Sequence, residues 1–264
     1  MKAYDFEFDG HLLSEFGFII CKFGSDGIET ISNGSYITFN TVSSMNGSKY
    51  ELTNSEYSDC LTATFQICKH PCISDNEEIS LMELRDIMKW LNRKEFHKFK
   101  ILNDDYINLF FESSFNISKI EMNGKIYGLE LEMFTNRPYA LHEPVTITIK
   151  NLQENGEKRI TSMSDEEGYI YPEMEISINE DGNLEIYNCL EDRTMRISNC
   201  KAGEIINIKY PIIETSLSEH KIQNDFNWTF FRIANTFRNR ANDIKISIPC
   251  TVKIKYSPII KVGI

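Results

Sequence analysis

GKIYGLELEMFTNRPYAL, residues 124–141, decides how this chain is read. Asn123-Gly124 supplies two neighbouring residues that tolerate positive φ, the turn whose twist matches a pair of antiparallel strands. The strand that follows alternates until Arg137-Pro138-Tyr139, where proline has no N–H to give to a ladder. A second β-rich stretch begins beyond that corner. The sequence therefore predicts two modules, 1–140 and 141–264, joined by a linker between Pro138 and Pro144, with the last residues able to pair back onto the first module.

Upstream of the hairpin the first module reads as a β-sandwich or barrel-like domain carrying one α-helix. Tyr4, Phe6 and Phe8 alternate with acidic residues, Phe16, Phe18 and Ile20 alternate again, and Leu61, Ala63, Phe65 and Ile67 share one strand face. Between them, Asn33-Gly34 precedes a strand through Val42, and Ser43, Ser44, Met45, Asn46 and Gly47 form a polar tip. Helical spacing occurs at Leu81, Leu84, Met88 and Leu91. With Ser74, Asp75 or Asn76 as N-cap and Glu77 and Glu78 near the dipole, the helix is expected over 77–91.

The second module predicts short strands at 145–150, 169–178, 184–188, 194–198, 205–209 and 244–256, a density that argues a β-sandwich or jelly roll. Residues 225–242 fit a helical period through Trp228, Phe231, Ala234 and Phe237, but their many Asn and Arg residues favour strand plus loop.

Composition narrows the function. The formal net charge is −11, and both halves are acidic: residues 1–140 carry 13 Lys/Arg against 21 Asp/Glu, residues 141–264 carry 15 against 18. Clamping of nucleic acid needs the opposite sign, because affinity comes from cations that displace counterions. No apolar run reaches the ~20 residues that span a bilayer, and the alternating N-terminus does not resemble a secretory signal, so synthesis in the cytoplasm and no membrane partner are expected. Seven scattered cysteines, an odd number, predict reduced thiols rather than a disulfide framework.

No constellation carries chemistry. Cys68, His70 and Cys72 alternate as if on one strand face, with Cys60 nearby, but Pro71 interrupts and the spacing is not a zinc knuckle, so no metal or cofactor is assigned. His11, His97, His142 and His220 read as surface or turn residues, with no nucleophile elbow near any serine. The pairs Asp104-Asp105, Glu173/Glu175 and Asp165-Glu166-Glu167 could serve a glycosidase only if a cleft set two of them ~5–9 Å apart; acidic runs are more often solvated faces. No catalytic residue is assigned. Trp228, Tyr169 and Tyr171 could form a platform for glycan rings, against the commoner fate of packing in a core.

The opening FEFDGHLLSEFGFIICKF, the helix ending Lys89-Trp90-Leu91, FKILNDDYINLFF, and Gly124 to the Arg-Pro-Tyr-Ala corner together resemble the N-terminal domain of distal tail proteins, hub subunits of long non-contractile tails in phages of Gram-positive hosts. Gly168, Ile170, Pro172 and Ile176, then Ile205–Ile208 and FNWTFFRIANTF, are similar to that family's galectin-like, carbohydrate-module-like C-terminal sandwich; Arg240-Ala241-Asn242 stands where the family has a Gly-x-Asn turn. The resemblance implies a virion protein without enzymatic activity. It would form a homohexameric ring between the tail-tube protein and a tail-tip or tail-associated protein, with sandwiches facing peripheral baseplate or receptor-binding proteins. DNA would only pass through, and six copies would carry a formal charge of about −66, which repels rather than traps a polyanion. Ring or tube contacts are expected at Ser43–Gly47 and at Asn123-Gly124. A cell-wall glycan module and a tail-tube subunit are the alternatives.

Overall fold

The computed structural model describes residues 4–24, 35–43, 51–73 and 76–262. The chain divides into two compact units, Met1–Leu141 with Ile260–Ile264, and His142–Ile259.

The first unit contains β1 (Phe6–Phe8), β2 (His11–Leu12), β3 (Phe18–Cys21), β4 (Ile37–Ser43), β5 (Glu51–Tyr57), β6 (Thr62–Lys69), α1 (Leu81–Leu91), β7 (His97–Ile101), β8 (Leu109–Met122), β9 (Lys125–Thr135) and β10 (Ala140–His142). Its main sheet runs β2-β1-β7-β8-β9-β6-β3, with β10 paired to β8 and to the last strand, β22 (Ile259–Ile260). The β8–β9 hairpin is its longest ladder and closes where expected: Asn123 and Gly124 have φ 54° and 75°, and Met122 pairs with Lys125. Instead of an open linker, the stretch between Pro138 and Pro144 holds β10, whose Ala140 and Leu141 are buried.

Helix α1 begins later than the sequence suggests. Ser80 is the N-cap, accepting from the Glu83 N–H while the Glu83 carboxylate accepts from Ser80 N at 2.8 Å, a complete capping box. Of the earlier cap candidates, Ser74 and Asp75 lie outside the described residues, and Asn76 accepts from Glu78 N in a local turn. The buried face is also rotated: Leu84, Ile87, Trp90 and Leu91 are buried, while Leu81 and Met88 are exposed. Aromatic packing fixes that rotation. Trp90 lies 4.3 Å from the Phe16 ring and 5.7 Å from Phe6, both stacked, and its indole N–H donates to the Phe8 carbonyl at 3.0 Å.

Glu83 ties the cap to the sheet through Lys69 at 2.8 Å. Burial pushes the Glu83 carboxyl up, but the Lys69 ammonium and the Ser80 hydrogen bonds outweigh it and hold its pKa below the ordinary value. A depressed carboxyl adds stability above its unfolded pKa of ~4.3, lost as pH falls through the lower folded value. Glu83→Gln should therefore cost about 0.5 kcal/mol at pH 7, screening included, and nothing at pH 2–3. Urea midpoints of both proteins across that range are the check, and a gap that persists in acid contradicts the assignment.

The second unit contains β11 (Val145–Asn151), β12 (Gly156–Thr161), β13 (Gly168–Ile170), β14 (Glu173–Ile178), β15 (Gly182–Asn188), β16 (Arg193–Cys200), β17 (Ile205–Lys209), β18 (Ile212–Thr215), α2 (Ile222–Asp225), β19 (Ile233–Asn235), β20 (Ala241–Ile246) and β21 (Cys250–Tyr256). Sheets β11-β21-β14-β17-β18 and β12-β20-β15-β16 enclose one core, to which Ile176, Ile206, Val252 and Ile254 contribute from the first, and Leu184, Ile186, Ile197 and Ile246 from the second. This is the expected β-sandwich. Two predicted strands each prove to be two: 169–178 breaks at Tyr171-Pro172, and 244–256 breaks between Ile246 and Cys250, the halves joining different sheets. Asp225 ends α2, and residues 226–242 are loop and strand, as their composition suggests.

Candidate functional site

Three surfaces or clusters stand out once the elements are placed. The first is an arm. Strands β4 and β5 pair from Ile37↔Tyr57 to Ser43↔Glu51 and with no other sheet among the described residues. Residues directly opposite in an antiparallel pair share a face, so Ile37 and Phe39 lie on the side of Tyr57 and Ser55. Both apolar β4 residues of that face are bare, Ile37 51% and Phe39 67% exposed, and Tyr36, one residue earlier and therefore on the other side, is 71% exposed. An isolated two-stranded ribbon is marginal in water, and an exposed apolar face on one marks a surface for a partner. Of the tip residues singled out from sequence, Ser43 ends β4, and Ser44, Met45, Asn46 and Gly47 lie outside the described residues. The Asn123-Gly124 hairpin ends in exposed Met122, beside a cavity of about 530 Å³ lined by Ile19, Cys21, Phe23, Cys68 and Met122 at the β3 edge.

The second surface is a run of rings on the sandwich. Tyr169 and Tyr171 lie 5.5 Å apart, Tyr171 stacks on Tyr210 at 4.1 Å, Tyr210 meets Phe230 edge-on at 5.2 Å, and Phe230 lies 6.4 Å from Trp228. The three rings named from sequence thus belong to one row. Tyr169, Tyr210 and Trp228 are each more than half exposed, and the Arg232 guanidinium covers Tyr169 at 3.8 Å. Trp228 holds φ 55°, a conformation rare for a bulky residue. Asn227 secures it, accepting from Arg196 N and Thr229 N and donating to the Thr194 carbonyl at 3.0 Å. Tyr210 and Phe230 complete the row across distant segments, and no sequence period links them to Tyr169.

The third is a cluster that sequence reading missed. His220 closes a turn, as one of the two sequence readings has it, but its side chain is not at the surface: it is 4% exposed, and its Nδ1 donates to the fully buried Glu204 carboxylate at 2.6 Å. Thr215 Oγ1 and the Lys201 N–H donate to the same carboxylate. Burial pushes Glu204 up, but these hydrogen bonds hold its pKa below the usual range. A Ser-Leu-Ser-Glu-His loop gives no hint of such burial.

Other candidates dissolve into ordinary packing. Cys68 ends up beside Cys21, whose thiol burial and that neighbour push up to about 12, while His70 and Cys72 sit in a turn where Cys72 N donates to His70 Nδ1 at 3.2 Å. Among the described residues no group of three or more His, Cys, Asp or Glu side chains could hold a metal ion, and all seven cysteines are free. Glu173 pairs with Lys209 and Glu175 with Lys253, both at 2.7 Å, a charge ladder on a sheet face rather than an acid–base couple across a cleft. No helix among the described residues is long and apolar enough to cross a membrane.

The chain is thus a two-module β-protein whose described surface carries an exposed arm and a row of rings. The chain is a member of the phage tail proteins: residues 1–137 match the family model of a phage tail protein N-terminal domain, and residues 139–256 that of a phage tail C-terminal domain. Its fold is that of a distal tail protein. The crystal structure of SPP1 Dit, described as a paradigm of the hub adsorption apparatus in phages infecting Gram-positive hosts, superposes with a TM-score of 0.65 at 10% identity, over 97% of this chain and 99% of that one. A search of the curated proteins finds no match.

Proposed function

We propose that this phage tail protein is the hub at the distal end of the tail: a homohexameric, non-catalytic ring that joins the tail tube to the tail tip, and whose C-terminal sandwiches receive peripheral baseplate or receptor-binding proteins. The fold likeness to a hub protein along nearly the whole chain supports the class, and the bare apolar face of the β4–β5 arm carries the ring reading. A ring subunit must bury such a face against a second copy, since apolar area gains about 25 cal/mol per Å² when removed from water. The acidic charge suits a lumen through which DNA moves without being held.

Light scattering on the purified chain, with negative-stain imaging, should give six copies and a central hole. Phe39→Asp, on an exposed residue, should leave the fold intact by circular dichroism and weaken the ring at least tenfold in dissociation constant. A strictly monomeric wild-type chain at tens of micromolar would sink the ring reading, and a stacked tube would favour the tail-tube alternative.

The row Tyr169–Tyr171–Tyr210–Phe230–Trp228 favours a second reading of the sandwich as a glycan platform, because exposed rings stack on the apolar faces of sugars. Binding of cell-wall polysaccharide that is lost in Trp228→Ala would support it.

A further inference from the structure

We propose that His220 and Asp225 form a divalent-cation site of the zinc class in the second unit, with two protein ligands and the remaining positions taken by water. Five observations converge on it. Glu204 can only accept, so its 2.6 Å contact fixes a proton on His220 Nδ1, and Nε2 is the nitrogen whose lone pair a cation would take in place of a proton. A buried carboxylate behind the far ring nitrogen is the arrangement that orients metal-bound histidines and raises their basicity.

Nε2 itself is buried, has no hydrogen-bond partner, and lies 3.3 Å from Asp225 Oδ2 without hydrogen-bond alignment. That distance discriminates between occupants. A bridging water making two hydrogen bonds of about 2.8 Å would hold the two atoms about 4.5 Å apart. An ion with bonds of ~2.0–2.1 Å to nitrogen and oxygen holds them about 3.0–3.4 Å apart. The gap is too narrow for a bridging water and fits either a bound ion or, in a protonated ring, a direct ion pair, which zinc binding tells apart.

Asp225 is oriented in turn. Its other oxygen accepts from Asn199 Nδ2 at 2.9 Å, so each ligand has its own supporting hydrogen bond. Both residues line a cavity of about 680 Å³, and solvent reaches the pair from the Asp225 side, whose side chain is 25% exposed against 4% for His220. The charge balance agrees: two carboxylates face one imidazole, and the nearby Lys201 ammonium is held by Asp181 at 3.1 Å. Imidazole with carboxylate suits zinc, nickel or cobalt better than calcium or magnesium, which prefer all-oxygen shells.

Equilibrium dialysis of the full chain against zinc chloride tests this, in a background where the exposed Cys60, Cys72 and Cys189 are replaced by serine to remove competing thiols. His220→Gln and Asp225→Asn should each bind one zinc fewer per chain than that parent. Asp225→Asn keeps an acceptor for Asn199, so it folds even where loss of the buried histidine does not. Equal zinc stoichiometry in the parent and Asp225→Asn overturns the site, as does a parent that binds no zinc at millimolar concentration.

Discussion

Phe6→Ala is expected to lower the stability of the first unit by about 3–5 kcal/mol, the range for a large aromatic removed from a packed interior. Phe6 is fully buried on a three-residue strand, yet its ring meets Phe65 at 5.6 Å, Trp90 at 5.7 Å, Phe99 at 5.3 Å and Phe115 at 6.2 Å. Those neighbours come from β6, α1, β7 and β8, so the cavity left behind would touch four different elements of the core. Rigid rings collapse poorly into a void, which places the cost toward the upper end. Trp90 gives a local readout because it is buried beside the lesion, and the only other tryptophan, Trp228, can be replaced by phenylalanine. Urea unfolding followed by Trp90 fluorescence should show a much lower midpoint with little change in slope. A loss under about 1 kcal/mol would mean that the ring cluster does not hold the unit together.

Asn242→Ala should destabilise the second unit by about 3 kcal/mol or more, although it removes hardly any apolar surface. Asn242 is fully buried on β20. Its side-chain oxygen accepts from Asn188 Nδ2 and from Ala234 N, both at 2.8 Å, and its amide donates to the Ala234 carbonyl at 2.9 Å. Truncation leaves three buried polar groups without this partner, each costing about 1–3 kcal/mol where water cannot enter. Asn188 also donates to the Arg232 carbonyl at 3.1 Å, so the network holds the ring-bearing loop against the sandwich. Calorimetry of Asn188→Ala, Asn242→Ala and the pair should show strong non-additivity, since the second change removes a group already stranded. Simple additivity would show that the two amides act independently.

The candidate surfaces were legible in the sequence to different degrees. Tyr169, Tyr171 and Trp228 could be named because large aromatics near turns are conspicuous, but their membership of one row depends on Tyr210 and Phe230, brought in by the pairing of β14 with β17 and by the loop before β19. The β4 strand was visible, its isolation from the main sheet was not, because alternation says which residues share a face and nothing about what covers it. His220 gave no signal at all, since burial of a polar side chain in a loop depends on partners fixed far away in sequence.

What the sequence alone determined was local. Asn123-Gly124 had to be a hairpin turn, because two adjacent residues there accept positive φ and the flanking strands alternate. A helix had to fall near residues 81–91, because only a 3.6-residue period brings Leu84 and Leu91 to one side. Tertiary structure decided which stripe of that helix is buried: the rings of Phe6, Phe8 and Phe16 favour Trp90 and Ile87 over Met88 and Leu81. Backbone propensities act within a few residues, whereas burial and hydrogen-bond satisfaction are set between β6 and β9, or Asn188 and Asn242, whose separation along the chain carries no pattern.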